Sequence, residues 1–174
     1  MENIFDITPL NNAIFRLEEG LTRYESDISD LQIRDGLIQR FEFTYEISHK
    51  MLKRYLEFIA PNPEEYDGMS FQDIIRSANE KGLLLGNWAD WRQYRDMRSR
   101  TSHTYDEEIA LQVVAGIPKF LSEAQFCELN YKHASHKQAV KCVKFLQLTK
   151  NSLSSKLSWQ NMCLNMKFGH LAHE

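Results

Sequence analysis

The chain is poor in residues that break or staple a fold. It has seven Gly and four Pro in 174 residues, too few for the many turns of a sheet-rich protein, so long helices are favoured. Its three Cys, an odd number, all fall after residue 124; no disulfide framework is expected, and a reducing cytoplasm is the natural setting. No apolar run approaches the roughly 20 residues that span a bilayer. The opening MENIFDITPL carries no basic residue ahead of its apolar positions, so neither a membrane segment nor a secretory signal is expected. There is no Gly-rich phosphate loop and no nucleophile elbow. Cys127, Cys142, Cys163, His133, His136, His170 and His173 are scattered without zinc-ligand spacing, so no metal and no cofactor is expected.

What is present is ordinary for a globular protein in amount and unusual in arrangement. Hydrophobic residues make up 43% and charged residues 26%, which excludes disorder throughout. The net charge of −3 conceals two halves. Residues 1–124 hold 10 Arg and 4 Lys against 22 acids, a net of −8. Residues 125–174 hold 7 Lys, no Arg and 2 acids, a net of +5. The change in composition suggests a helical domain over 1–124 and a basic C-terminal extension over 125–174, partly helical or disordered. An acidic body does not attract nucleic acid through its overall field, so any such chemistry needs a local cluster.

Helical periodicity dominates the first 124 residues. Leu10, Ile14, Leu17, Leu21 and Tyr24 recur every three or four residues, with Thr8 expected as N-cap and Pro9 in the first turn. After an irregular connection over 28–34, Leu37, Phe41, Tyr45, Met51, Leu52, Tyr55 and Ile59 predict a second helix from about Asp35 to Ala60, halted by Pro61-Asn62-Pro63. Ser70-Phe71-Gln72-Asp73 reads as a capping box opening a short helix to about Glu80. Asn87 caps another through Trp88, Trp91, Tyr94 and Met97. A further helix begins near Thr104, with Pro118 as a candidate kink. In the tail, Val140, Val143, Phe145 and Leu148 could share one helix, while order is not expected over 150–174. No segment alternates with period two. The expected fold is all-α, an antiparallel up-and-down bundle of four to five helices.

The densest candidate for chemistry is Arg92, Arg95, Arg98, Arg100, His103 and Tyr105, which puts four of the ten body Arg within nine residues. Arg95, Arg98 and Ser102 fall on one helical side. In an unbroken helix Arg98 and His103 would point about 140° apart, so a shared site requires a break. Thr104-Tyr105-Asp106-Glu107 supplies one as a second capping box, with Thr104 as N-cap. His103 then stands just outside a helix N-terminus, where anions are favoured. An Arg that grips a phosphate and a His that moves a proton are what phosphodiester cleavage without a metal requires. The bland alternative is an Arg-rich solvated face with a capping His. Glu42 and Glu46 share a face and read more readily as solvated charge than as a paired-carboxylate site.

Arg98-Ser-Arg-Thr-Ser-His103-Thr-Tyr105 resembles the R-x4-H-x-Y signature of HEPN toxins of the nucleotidyltransferase substrate-binding group. The stretch Arg34–Glu46, with Arg34, Asp35 and Arg40, resembles the second-helix pattern of the same group, as does Lys50-Met-Leu-Lys53. The resemblance covers about residues 8–124. It implies a helical bundle that forms a homodimer, with the motifs of both protomers lining one cleft. It implies a metal-independent endoribonuclease acting on RNA, the toxin of a type VII toxin–antitoxin pair, in which Arg98 holds the scissile phosphate and His103 is the acid/base. The partner would be a minimal nucleotidyltransferase antitoxin that attaches AMP from ATP to Tyr105. Ser99, Ser102, Arg95 and Arg40 would support the site or the partner surface. The residue after the motif Arg is often Asn or Asp in the group and is Ser99 here; His49 stands where the pattern usually carries an aromatic residue. The competing expectation is a non-catalytic subunit that binds nucleotide or substrate for a nucleotidyltransferase.

Overall fold

The computed structural model describes residues 5–151, with side chains through residue 132. Five helices carry the chain: α1 (Thr8–Ser26), α2 (Leu31–Ile59), α3 (Phe71–Glu80), α4 (Trp88–Arg100) and α5 (Glu107–Asn151). Two single-turn 3-10 segments, Pro63–Tyr66 and Thr101–His103, occupy the α2–α3 and α4–α5 connections. No strand occurs among the described residues. The all-α bundle expected from periodicity is what forms. The chain divides into two compact units, Met1–His133 and Ala134–Glu174. The second is described here only as helical backbone over 134–151; the expectation for residues after 151 lies outside the described residues.

Helix starts follow local capping chemistry. At α2 the Asp30 carboxylate accepts from the backbone N–H of Gln32 and Ile33 at 2.8 and 3.1 Å. This cap starts the helix at Leu31, so residues 31–34, expected in a connection, are helical. α1 starts without a side-chain cap, because the residue before it is Ile7 and not Thr8; Asp6 Oδ1 accepts from the Thr8 N–H at 2.9 Å instead. Ser70 caps α3, and Asn87 with Asp90 forms a full capping box on α4. α5 continues through Pro118 without ending.

The core is aromatic. Phe41 on α2 meets Phe120 on α5 edge-to-face at 5.1 Å between ring centres, and Tyr94 on α4 meets Phe120 at 5.3 Å. Such pairs add about 0.5–1.5 kcal/mol each beyond the area they bury. A second cluster joins Phe5, Tyr55 and Tyr131, with Tyr55 and Tyr131 4.3 Å apart. Cys127 and Tyr131 are fully buried, so the packed body runs past residue 124, where the composition changes. α4 and α5 approach closely because position 116 is Gly; a Cβ there would stand 2.5 Å from Met97 Cε.

One polar group organises the α3–α4 loop. Glu123 on α5 is buried, and its carboxylate accepts from the backbone N–H of Leu85 and Gly86 at 3.0 and 2.7 Å and from Trp91 Nε1 at 3.3 Å. Gly86 permits the approach, since a Cβ there would lie 2.9 Å from Glu123 Oε2 and from Asp90. The loop that begins α4 is thereby pinned to α5, which fixes where the Arg-rich helix starts.

Candidate functional site

The R-x4-H-x-Y segment occupies the junction of α4 and α5, and the required break is there. α4 ends at Arg100, and Thr101–His103 forms a tighter 3-10 turn before α5 starts at Glu107. The cap differs from the expected one. Thr104 Oγ1 donates backwards to the Thr101 carbonyl at 3.2 Å. Asp106 caps α5, its Oδ1 accepting from the N–H of Glu108 and Ile109 at 2.9 and 3.3 Å. The 3-10 turn consumes residues 101–103, which moves the first helical residue beyond Thr104's reach. Glu107 is released from the predicted box. It accepts instead from Arg34 Nη1 of α2 at 2.6 Å, and the guanidinium of Arg34 is buried. This pair ties the first turn of α5 to the first turn of α2.

His103 and Tyr105 stand together on the surface side of this turn. Their rings meet edge-to-face at 6.3 Å, and Tyr105 is 89% exposed. Arg98 is attached to the same turn, with Nη1 donating to Thr101 Oγ1 at 3.2 Å. Its guanidinium is otherwise directed at α2, Nη2 lying 2.7 Å from Glu42 and Nε 3.2 Å from Glu46. Glu42 and Glu46 are thus neither an independent acid/base pair nor merely solvated; they clamp the motif arginine. Their spacing of four residues puts both on one face of α2 but carries no signal of Arg98 as their partner.

The supporting residues separate into groups. Ser99 Oγ donates to the Asp96 carbonyl at 2.8 Å and Ser102 Oγ to the Ser99 carbonyl at 3.2 Å; both residues are exposed at the junction. Arg95 is exposed and lies over the Phe71 ring, 5.3 Å from its centre. Arg100 donates to Gln112 Oε1 at 2.6 Å. Arg40 is on the opposite side of α2, where Nη1 donates to the Arg16 carbonyl and to Glu19 of α1 at 2.6 and 2.8 Å. Two open surface cavities of about 310 and 490 Å³ flank Arg40, and neither is lined by Arg98, His103 or Tyr105.

His49 on α2 is half-buried beside the clamp. Its ring meets Phe71 edge-on at 4.8 Å. Burial, reinforced by Arg95 and Lys50 and opposed by Glu46, pushes its pKa below the ordinary histidine value. Burial likewise pushes the neighbouring Tyr45 phenol up to about 12. Among the described residues, no group of three or more His, Cys, Asp or Glu is placed to hold a metal ion. Nor is any helix among them long and apolar enough to cross a membrane.

Residues 5–133 match the family described as "Nucleotidyltransferase substrate binding protein like". The chain belongs to this HEPN/nucleotidyltransferase substrate-binding group. It is 39% identical over 134 residues to the Haemophilus influenzae protein named "Probable ribonuclease HepT", a match covering 72% of this chain and 91% of that one. A solved Haemophilus influenzae structure, described as revealing the fold of a substrate binding domain of a nucleotidyltransferase, superposes with a TM-score of 0.68 at 37% identity. That superposition covers 73% of this chain and 99% of that one. A crystal structure of a Thermus thermophilus protein matches with a TM-score of 0.56 at 30% identity, covering 70% and 98% of the two chains. The shared region takes in the whole α4–α5 junction and ends where the first compact unit ends.

Proposed function

We propose that this HEPN-group chain is a metal-independent endoribonuclease toxin, silenced when a partner nucleotidyltransferase attaches AMP to Tyr105. The observation that carries this reading is the exposed His103–Tyr105 ring pair, beside the 3-10 turn to which Arg98 is hydrogen-bonded. The name of the Haemophilus influenzae relative supports ribonuclease activity, and the family description supports a nucleotidyltransferase as partner.

In the cleavage step, the imidazole of His103 takes the proton of a ribose 2′-hydroxyl. The freed oxygen attacks the adjacent phosphorus, and the bond to the 5′-oxygen breaks. The products are a 2′,3′-cyclic phosphate and a 5′-hydroxyl, the latter protonated by imidazolium. Arg98 stabilises the charge that develops on the non-bridging oxygens, an interaction of the kind whose loss costs about 10²–10³ in rate. The substrate phosphate competes with Glu42 and Glu46 for the guanidinium, so the clamp orients Arg98 before RNA arrives. A second protomer would supply a second copy of this motif to one cleft.

In the silencing step, the Tyr105 hydroxyl attacks the α-phosphorus of ATP and pyrophosphate leaves. The result is a phosphodiester on the phenol, with its negative charge and bulk standing beside His103 and near the Arg98 turn. That charge repels an RNA phosphate and occupies its place.

Two measurements test the reading. RNA cleavage by the purified full chain is expected to fall at least 100-fold in His103→Ala and in Arg98→Ala. Incubation with the genomically adjacent nucleotidyltransferase and ATP is expected to add AMP mass to Tyr105 and to abolish cleavage. Equal cleavage by the parent and His103→Ala chains refutes the nuclease. The alternative, a non-catalytic subunit presenting a nucleotide or substrate, is favoured by the pairing of Arg98 with two carboxylates. It predicts a stable complex with the nucleotidyltransferase and no added mass.

A further inference from the structure

Beside the motif, the surface carries a second feature that the cleavage step does not use. Trp88, Trp91, Arg95 and Arg98 recur at three- and four-residue spacing along α4 and form one stripe. Glu42, Tyr45, Glu46 and His49 form the matching stripe on α2. Phe71, the first residue of α3, sits against both. Its ring lies 4.8 Å from His49, 5.6 Å from Trp88 and 6.5 Å from Trp91, each edge-to-face. Trp91 and Tyr45 are buried and belong to the core. His49, Phe71 and Trp88 are half-buried, each keeping part of its ring at the surface. Arg95 roofs Phe71 with its guanidinium at 5.3 Å and is itself exposed.

Here a planar cation lies on a half-buried aromatic ledge whose Trp88 and His49 are carried by the same two helices as the Arg98 clamp. Arg98 and His49 share Glu46 as a neighbour: Arg98 is paired with it, and its field acts on His49. From Trp88 to Arg98 is ten residues of helix, about 15 Å, the length of roughly four stacked nucleotides. Flat rings and a guanidinium plane are what unpaired bases stack on, and the sequence-tolerant part of single-strand binding comes from such platforms.

We propose that the Arg95–Phe71–His49–Trp88 ledge is a stacking subsite for an unpaired nucleobase a few nucleotides away from the phosphate held by Arg98. The subsite rests on the ribonuclease reading for its ligand class, single-stranded RNA. It makes the chain select unpaired RNA, because a base in a duplex cannot reach the ledge.

The experiment uses the full chain carrying His103→Ala, which binds without cleaving, and a single-stranded 12-nucleotide RNA. Arg95→Gln changes an exposed side chain and Trp88→Ala leaves the charge unaltered, so folding and electrostatics are controlled separately. Each is expected to weaken binding between about 5- and 150-fold, the range found for one stacked base. An RNA series with a single abasic nucleotide stepped along it needs no protein variant. One position is expected to reproduce the loss, and at that position Arg95→Gln and Trp88→Ala should have no further effect. Unchanged affinity in both variants, an abasic series without a sensitive position, or no binding of the 12-mer by the parent chain would each overturn the subsite. Failure of the ribonuclease reading looks different: cleavage is indifferent to His103→Ala, yet base-dependent binding persists and the subsite stands.

Discussion

Glu123 offers the sharpest test of the physical reasoning, because two plausible rules predict opposite signs. It is a buried carboxylate with no Lys, Arg or His within ion-pair distance among the described residues, held by three N–H donors and, at 3.9 Å, by the Cys127 thiol. If burial of charge dominated, Glu123→Gln would stabilise the protein by removing the charge. The hydrogen bonds argue the other way. Oε1 serves Leu85 N–H and Trp91 Nε1, while Oε2 serves Gly86 N–H at 2.7 Å. Gln keeps one acceptor and turns an NH2 donor toward an N–H donor, at a cost of about 1–3 kcal/mol. Glu123→Ala orphans the three N–H donors and the weaker thiol donor of Cys127. The indole is buried and loses its full bond, whereas the two loop amides are half-buried and partly recover water. The expected cost is about 3–5 kcal/mol, including the small void. For a body of this size each kcal/mol moves Tm by roughly 3–5 °C. Urea and thermal unfolding at pH 7 should rank the chains parent, Glu123→Gln, Glu123→Ala in falling stability. A Glu123→Gln chain as stable as the parent, or more so, would refute the account of the loop that starts α4.

Three further outcomes follow from individual contacts. Asp106→Ala should cost about 1 kcal/mol as the loss of a working N-cap, while Thr104→Ala should leave unfolding within experimental scatter; equal losses by chemical denaturation would return the cap to Thr104. The Arg34–Glu107 pair is lopsided, with the Arg34 side chain 7% exposed and that of Glu107 64% exposed. Removing the exposed partner by Glu107→Ala leaves a buried guanidinium poorly compensated, and should cost about 3 kcal/mol. Arg34→Met strands only the solvated carboxylates of Glu107 and Asp35 and should cost less; the reverse order in urea melts would contradict the burial argument. The third outcome is a pH dependence set by His49. Because the folded imidazole has a pKa depressed from 6.5, the unfolded chain takes up its proton first as pH falls. The stability it contributes is complete above about pH 6.5 and is lost below it. His49→Phe should flatten the slope of Tm between pH 7.5 and 5.5, and an unaltered slope would show that the ring titrates freely.

How much of this was legible in the sequence follows the range of the interactions. Helices whose start depends on a residue one to three positions away could be read directly: Ser70 and Asn87 cap where their side chains suggested. The errors occur where two local solutions compete. Thr104 and Asp106 can both cap, and the choice is made by the 3-10 turn at Thr101–His103, which shifts the first helical residue past Thr104. Asp30 and the irregular stretch after it posed the same problem at α2. Arg98, His103 and Tyr105 meet at one junction because they are neighbours in sequence, and helical geometry required the break that lies between them. What pairs with Arg98 could not be read from α4, since Glu42 and Glu46 lie more than fifty residues away and look like any exposed acidic face. Sequence separation likewise hid Glu123, 32 to 38 residues from the N–H groups it binds, and the Arg34–Glu107 tie, 73 residues long. In each case the partner is fixed by the packing of α2 and α5 against the junction. The motif therefore fixes which side chains share the junction, while the packing of α2 against it decides how Arg98 is oriented.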